Sequence, residues 1–452
     1  MAQKTQHHPQ TAISRRAFLV STGGACLGLL AGCVANPVTG RRQLIFLSTA
    51  AEAAIDRQQA PHQFSADYGI TPDTSLASYM AETGQGLALQ SHRPDMPYAF
   101  NPVNAGYVNA YAFPGGSMAF TRGILLAMQS ESELAAVMGH EIGHVCARHA
   151  AQNMTRGMLT NVFVAGIATL LQQQQQSEYA DLAAGLGMVA GGAFLAYYSR
   201  DDERQADALG LEYMVKAGHN PDGFIALMDT LRRLSRNKPG LIETMFATHP
   251  MSEERYQTAV QTVTAKYQDA RSRPENSERY LDHTAAIRAM GEAINLMQTG
   301  EQALNSGKPD AAAPDLEAAL RLAPEDYTAL LLLAKCRMMQ NHAAEAGTLA
   351  GAARNAYPNE PQAVHIAGLA NLAQKRYAEA YENFRDYDRR LPGNPFNPFF
   401  QGLALEGQGH REEAARRYIA FLRNVQQGEQ AQHAHRRLVE WGYIAPPAQR
   451  GA

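Results

Sequence analysis

The residues best suited to chemistry in this chain are His140-Glu141-Ile142-Gly143-His144, inside a stretch from Ser132 to His149 with helical periodicity. On a helix, side chains four positions apart differ by roughly 40° about the axis, so the imidazoles of His140 and His144 converge on one point. Two neutral imidazoles at one point suit Zn2+, and Glu141 lies beside that face. It is placed to act as general base toward a water acidified by the metal, and then as proton donor to a leaving amine. The chemistry implied is metal-assisted hydrolysis of a peptide bond.

A third ligand is needed. Ala147 and Ala150 stand where a metzincin carries Gly and His, which excludes that class. His149 is five residues past His144, roughly 140° around a continuous helix, and so reads as a structural or supporting histidine that points away from the metal. Cys146 faces away likewise. The better candidate lies in the segment Tyr198 to Gly210, where Glu203 and Asp207 are one turn apart on a helix with Ala206, Leu209 and Met214 on its apolar face. Glu203 reads as the metal ligand and Asp207 as the carboxylate that receives the free N–H of a ligand histidine. Asp201 and Asp202 read as a solvated acidic face.

With Val145 and Arg148-His149 behind the motif, the Glu203-x-x-x-Asp207 helix, and Thr248-His249-Pro250 followed by Arg255, the stretch from about 60 to 265 resembles metallopeptidase family forty-eight, the HtpX and CAAX-prenyl-endopeptidase relatives. The resemblance implies a gluzincin-type helical domain with a small sheet and a Zn2+ cofactor. It gives His249 a catalytic-site role, either as donor to the oxyanion or as occupant of the open metal position that keeps the enzyme latent. Arg255 then assists the oxyanion or pins the loop. Asn109-Ala110-Tyr111-Ala112-Phe113, followed by Gly115-Gly116, resembles that family's edge strand and turn. An exposed strand edge there accepts an extended peptide by main-chain pairing, which tolerates many sequences.

The elements around this site follow from length and pattern. A chain of 452 residues calls for two folded domains plus a targeting segment, and a formal net charge of -3 excludes a polyanion footprint, so no nucleic acid is expected. Ser14-Arg15-Arg16-Ala17-Phe18-Leu19, the uncharged run to Gly32, and Leu30-Ala31-Gly32-Cys33 read as a signal peptide (1–33) with a lipobox that makes Cys33 the lipidated first residue. The arginine pair resembles a Tat signal, with Sec export as the alternative. Val34 after the cysteine favours the outer membrane, and Asn36-Pro37-Val38-Thr39-Gly40-Arg41-Arg42 resembles the start of the family's periplasmic lipoproteins. Cys146 and Cys336 fall in different domains and imply no disulfide framework. The apolar runs between Asn161 and Tyr198 are too short to span a bilayer, which needs roughly 20 residues, and read as a helical hairpin over the site.

Behind the site the chain repeats. Ala312, Ala346, Ala380 and Ala414 are 34 residues apart, as are Pro324, Pro358 and Pro392, with Gly300, Gly368 and Gly402 on the same grid and Ala334 filling its gap. This is the tetratricopeptide period, and it predicts four repeats over about 285–431 with a capping helix around His433 to Trp441. The expected organisation is an N-terminal linker (34–60), a zinc metallopeptidase domain (61–270), a second linker (271–284) and an α-solenoid (285–445). The fold is mainly α with a small sheet. The repeat-bearing periplasmic members of the family imply a lipid-anchored protein on the inner leaflet of the outer membrane. They imply hydrolysis of misfolded or stalled outer-membrane proteins, with the repeats docking on the β-barrel assembly machinery. Two alternatives stay open: a non-proteolytic chaperone or adaptor with a structural or capped zinc, and a broad-specificity periplasmic stress protease.

Overall fold

The computed structural model describes residues 33–164, 198–237 and 239–445. The signal peptide up to residue 32 and most of the helical hairpin expected between Asn161 and Tyr198 lie outside them. Strands β1 (Cys33–Ala35) and β2 (Arg42–Leu44) pair antiparallel and lead into α1 (Thr49–Ala66), capped by Ser48. The stretch 34–60, expected as a linker, is therefore folded. Asn36 closes its turn by accepting from the Val38 and Thr39 amides, and its Nδ2 donates to the Ala147 carbonyl at 3.1 Å. Ile45 and Leu47 pack on Ala151. These partners lie about a hundred positions away, so no local pattern announces them.

Next come α2 (Thr74–Ala88), β3 (Ala99–Val103), β4 (Ala110–Ala112) and β5 (Ser117–Thr121). The sheet order is β3-β5-β4, with β3 parallel and β4 antiparallel to β5. β4 is an edge strand, but the expectation that it is exposed is corrected: Ala110, Tyr111 and Ala112 are all buried. Side chains alternate along a strand, so Ala110 and Ala112 join the main core while Tyr111 and Phe113 join a smaller cluster with Ala60 and Phe64.

α3 (Arg122–Ala127) precedes α4 (Glu131–Ala147), the helix of the HExxH motif, which is buried along its whole length. α5 (His149–Val164) follows it directly. α6 (Arg200–Lys216) packs along α4, and the approach is close because of glycine: a Cβ on Gly139 would lie 2.8 Å from the Gly210 carbonyl oxygen, and one on Gly210 would lie 2.7 Å from the His140 amide nitrogen. α7 (Asp222–Asn237), α8 (Pro239–Thr248) and α9 (Glu253–Lys266) complete this domain. The second expected linker, 271–284, is also packed. It contains α10 (Ser277–His283), whose Tyr280 is fully buried and donates to the Leu125 carbonyl at 2.6 Å.

After α11 (Ala285–Ala289) the repeats run as α12 (Gly291–Asn305) with α13 (Pro309–Leu322), α14 (Tyr327–Met339) with α15 (Ala343–Ala356), α16 (Gln362–Ala373) with α17 (Tyr377–Arg390), and α18 (Asn397–Gly407) with α19 (Arg411–Leu422). α20 (Glu429–Glu440) closes the stack. The grid glycines explain themselves. Gly300 sits against Leu316, Gly368 against Phe384 and Gly402 against Tyr418, so each first helix leaves space for a large side chain of its partner. One continuous apolar core joins these repeats to the peptidase domain. No described helix is long and apolar enough to cross a membrane.

Candidate metal centre

Four residues from three places in the chain converge. α4 brings His140 and His144, α6 brings Glu203, and the turn after α8 brings His249, with their ligand atoms all within 4.8 Å of one another. The Nε2 atoms of His140 and His144 are 3.0 Å apart. A Glu203 oxygen lies 3.3 Å from His144 Nε2, and His249 Nδ1 lies 3.1 Å from Glu203 and 3.5 Å from His140 Nε2. Donors held about 2.1 Å from a tetrahedral metal stand about 3.4 Å from one another, so this spacing fits a metal ion coordinated by three nitrogens and one carboxylate. The set is buried, and His249 Nε2 has no hydrogen-bond partner.

Electrostatics keep the donors ready. Burial pushes the Glu203 carboxyl up, but His249 and His140 outweigh it and hold it far below the usual carboxylate range. Burial holds the His144 imidazole well below its ordinary value, so it is neutral and can ligate. Glu141 is 1% exposed, and its Oε2 is unpartnered. Burial raises its carboxyl despite the neighbouring His249 and His140, which suits a group that must take up a proton.

The supporting groups orient these side chains. Asp207 stands 3.0 Å from His140 Nδ1, on the side of the ring away from the cluster. Arg255 binds Asp207 with Nε and Nη2 at 2.6 and 2.7 Å, reaches Glu203 Oε2 at 2.6 Å, and donates to the Pro250 carbonyl at 2.9 Å. It thus ties Glu203 and Asp207 of α6 to the loop that carries His249. His149 has the supporting place expected of it, outside the donor set, but it does not continue the helix past His144. Arg148 adopts φ 60 and ends α4, so His149 turns back and its Nδ1 lies 2.9 Å from His144 Nδ1, with Nε2 3.1 Å from Gln205. Cys146 is buried near the Tyr98 hydroxyl and takes no part in the cluster.

Two features escaped the sequence reading. Tyr198 stacks on His144 with ring centres 3.8 Å apart and lies 5.2 Å from His249. Its signal was its place just before the capping box of Ser199 and Asp202, which fixes the entry of α6. Glu52, 1% exposed, accepts from Arg93 at 3.1 Å and from Arg148 at 2.8 Å, and Arg93 also donates to the Val145 carbonyl, so the C-terminal end of α4 is clamped from α1. Nothing in the local pattern around Glu52 marks it. Beside the cluster an apolar pocket, lined by Val137, Phe224, Leu227, Met228 and Met245, opens next to His140 and His249.

The fold and the site define the class: a metallopeptidase domain of the HExxH kind with helical repeats behind it. Residues 75–263 match Peptidase family M48 and residues 303–368 match the tetratricopeptide repeat, so the chain carries a family M48 peptidase domain followed by tetratricopeptide repeats. It is 33% identical over 195 residues to the putative beta-barrel assembly-enhancing protease of Vibrio cholerae, covering 41% of this chain and 39% of that protein. It is 29% identical over 251 residues to the beta-barrel assembly-enhancing protease of Yersinia pestis, covering 53% and 49%. Against metalloprotease YcaL of Escherichia coli the identity is 28% over 217 residues, covering 47% and 79%. The chain thus spans half or less of the length of the assembly-enhancing relatives it matches.

Proposed function

We propose that this chain is a zinc-dependent endopeptidase of the bacterial periplasm. It hydrolyses misfolded or stalled outer-membrane proteins, and its repeats dock on the β-barrel assembly machinery. The observation that carries the hydrolytic part is the convergence of His140, His144 and Glu203 with the unpartnered carboxylate oxygen of Glu141 at their side. A donor set of nitrogens and one carboxylate at tetrahedral spacing suits zinc, and zinc bound there supplies a Lewis acid that acidifies water and polarises a carbonyl.

The chain's own residues do the rest. Glu141 accepts the proton of the attacking water and returns it to the leaving nitrogen. Asp207 holds His140 in one tautomer, and Arg255 holds Asp207 and Glu203 in register. The substrate lies extended along Asn109 to Phe113, paired with the edge of β4 that faces away from β5, and because that edge is buried the peptide reaches it only as the site opens. His249 occupies the fourth position of the donor set, 3.8 Å from Glu141, and so restrains the site until it moves aside. The targets and the docking partner rest on the names of the relatives, and the lipid anchor at Cys33 rests on the leader pattern.

The test uses the mature chain from residue 34, assayed for zinc content and for cleavage of β-casein as an unfolded protein. Wild type should hold one zinc and cleave, Glu141→Gln should hold zinc and not cleave, and His249→Ala should cleave faster. Zinc binding with no cleavage by any form would replace this reading with the chaperone one.

A further inference from the structure

We propose that the repeat domain holds the substrate-accepting strand β4 in place through a buried chain of hydroxyl and carboxylate contacts, Glu301 to Tyr68 and Asp67 to Tyr107 and Tyr111. The inference rests on the reading of β4 as the strand that takes the substrate.

β4 is three residues long and its ladder partner is β5. The Thr121 amide donates to the Asn109 carbonyl at 3.1 Å and the Phe113 amide to the Ser117 carbonyl at 2.7 Å. Antiparallel ladders alternate, so these bonds place the main-chain groups of Tyr111 inward on Ala119 and leave those of Ala110 and Ala112 on the edge away from β5. A strand with so few bonds to its own sheet needs another hold. Tyr111 supplies it by donating to Asp67 Oδ2 at 2.5 Å, and Tyr107, in the segment that enters the strand, donates to Asp67 Oδ1 at 2.7 Å. Both oxygens of this buried carboxylate are thereby engaged.

Asp67 is the C-cap of α1, and the residue after it is where the repeats attach. Tyr68 stands at φ 66, a left-handed conformation that a bulky residue adopts only when its surroundings impose it. Asn104 holds its carbonyl at 3.1 Å from within the peptidase domain. Its hydroxyl donates to Glu301 of α12, and the Lys335 ammonium of α14 lies 4.7 Å over its ring. The same turn is gripped again when Ser65 donates to Glu360 at 2.5 Å, Gln362 donates to the Ser65 carbonyl, and Tyr357 donates to the Ile70 carbonyl at 2.7 Å. The backbone that presents Asp67 to the strand is therefore set by side chains of the first helices of three successive repeats and of the loop that precedes the third. Asp67 and Tyr68 are positioning residues that act on substrate through Tyr111. A load placed on the repeats by a docked partner reaches the substrate edge along this path.

The test is backbone hydrogen exchange on the mature full chain in wild type, Tyr111→Phe, Tyr68→Phe and Glu301→Leu, with Glu301→Gln, which keeps an acceptor for Tyr68, as the rescue. The amides of residues 109–113 should exchange at least fivefold faster in the first three variants and close to wild type in Glu301→Gln, while those of α4 stay unchanged. KM for β-casein should rise at least threefold in Tyr68→Phe with kcat within twofold. Faster exchange in Tyr111→Phe alone would overturn the proposal, because the strand would then be held without the repeats. Exchange is read without catalysis, so a chain that fails to cleave casein sinks the peptidase reading and leaves this one decided on its own data. Tyr68→Phe keeps the ring in place and serves if Glu301→Leu does not fold.

Discussion

The α4–α6 pair and the repeat pairs are both close helix pairs made possible by glycine, yet the glycines do different things. In the metal centre, Gly139 and Gly210 face backbone: an added Cβ would meet a carbonyl oxygen or an amide nitrogen, neither of which can step aside. In the repeats, Gly300, Gly368 and Gly402 face the buried side chains of Leu316, Phe384 and Tyr418 and not backbone. The first arrangement fixes the distance between two helices so that ligands from both can meet. The second only makes room for packing, and it is repeated because each repeat buries its face on the next. In this pair of regions, the fixed spacing of the site rests on backbone-to-backbone contact and the repeat packing on glycine-to-side-chain contact.

The largest effect should come from Glu141→Gln, which lowers peptide hydrolysis by about 10²- to 10⁴-fold with the melting temperature unchanged, read by casein cleavage beside a thermal melt. Next, Gly210→Ala should destabilise the chain by about 1–3 kcal/mol and lose metal, whereas Gly368→Ala should cost about 1 kcal/mol and leave metal binding unchanged, since its Cβ meets the Phe384 ring and not backbone. Equal losses in a denaturant titration would break the contrast between the two kinds of helix pair. Arg255→Ala should leave the fold intact and weaken metal binding about 10- to 100-fold, since it frees Asp207 and Glu203 from their common partner, and chelator competition measures this.

The smallest effect concerns the junction between the two regions. Burial lifts the Glu360 carboxyl from its ordinary 4.5 to about 7, and that of Asp67 from 3.8 to about 6. A carboxyl whose folded value is raised contributes stability that is full below its unfolded value and is lost as pH rises through the folded one. Burial lowers Lys335 to about 8, so its neutral-form contribution is lost as pH falls through that value and does not oppose the trend below it. Stability should therefore fall by about 2 kcal/mol between pH 5.5 and 7, most of it from Glu360, and Glu360→Gln should reduce the slope in melts across that range to the smaller share of Asp67. A slope undiminished by this substitution would place the titration elsewhere.

Much of this molecule was legible before any coordinates. His140 and His144 share a face because four residues make about one helical turn, Glu203 and Asp207 share another for the same reason, and a 34-residue grid of small residues has one common explanation. Periodicity is local, so sequence carries it, and with it the reaction class and the repeat architecture. Tertiary structure alone decided the rest. It turned His149 back onto His144 through the left-handed Arg148, folded 34–60 onto the end of α4, and stacked Tyr198 on a ligand ring. It joined Tyr68 to Glu301 across 233 positions and Glu52 to Arg148 across 96. Such contacts follow from how whole elements pack and where chain reversals occur, and no spacing along the chain encodes them.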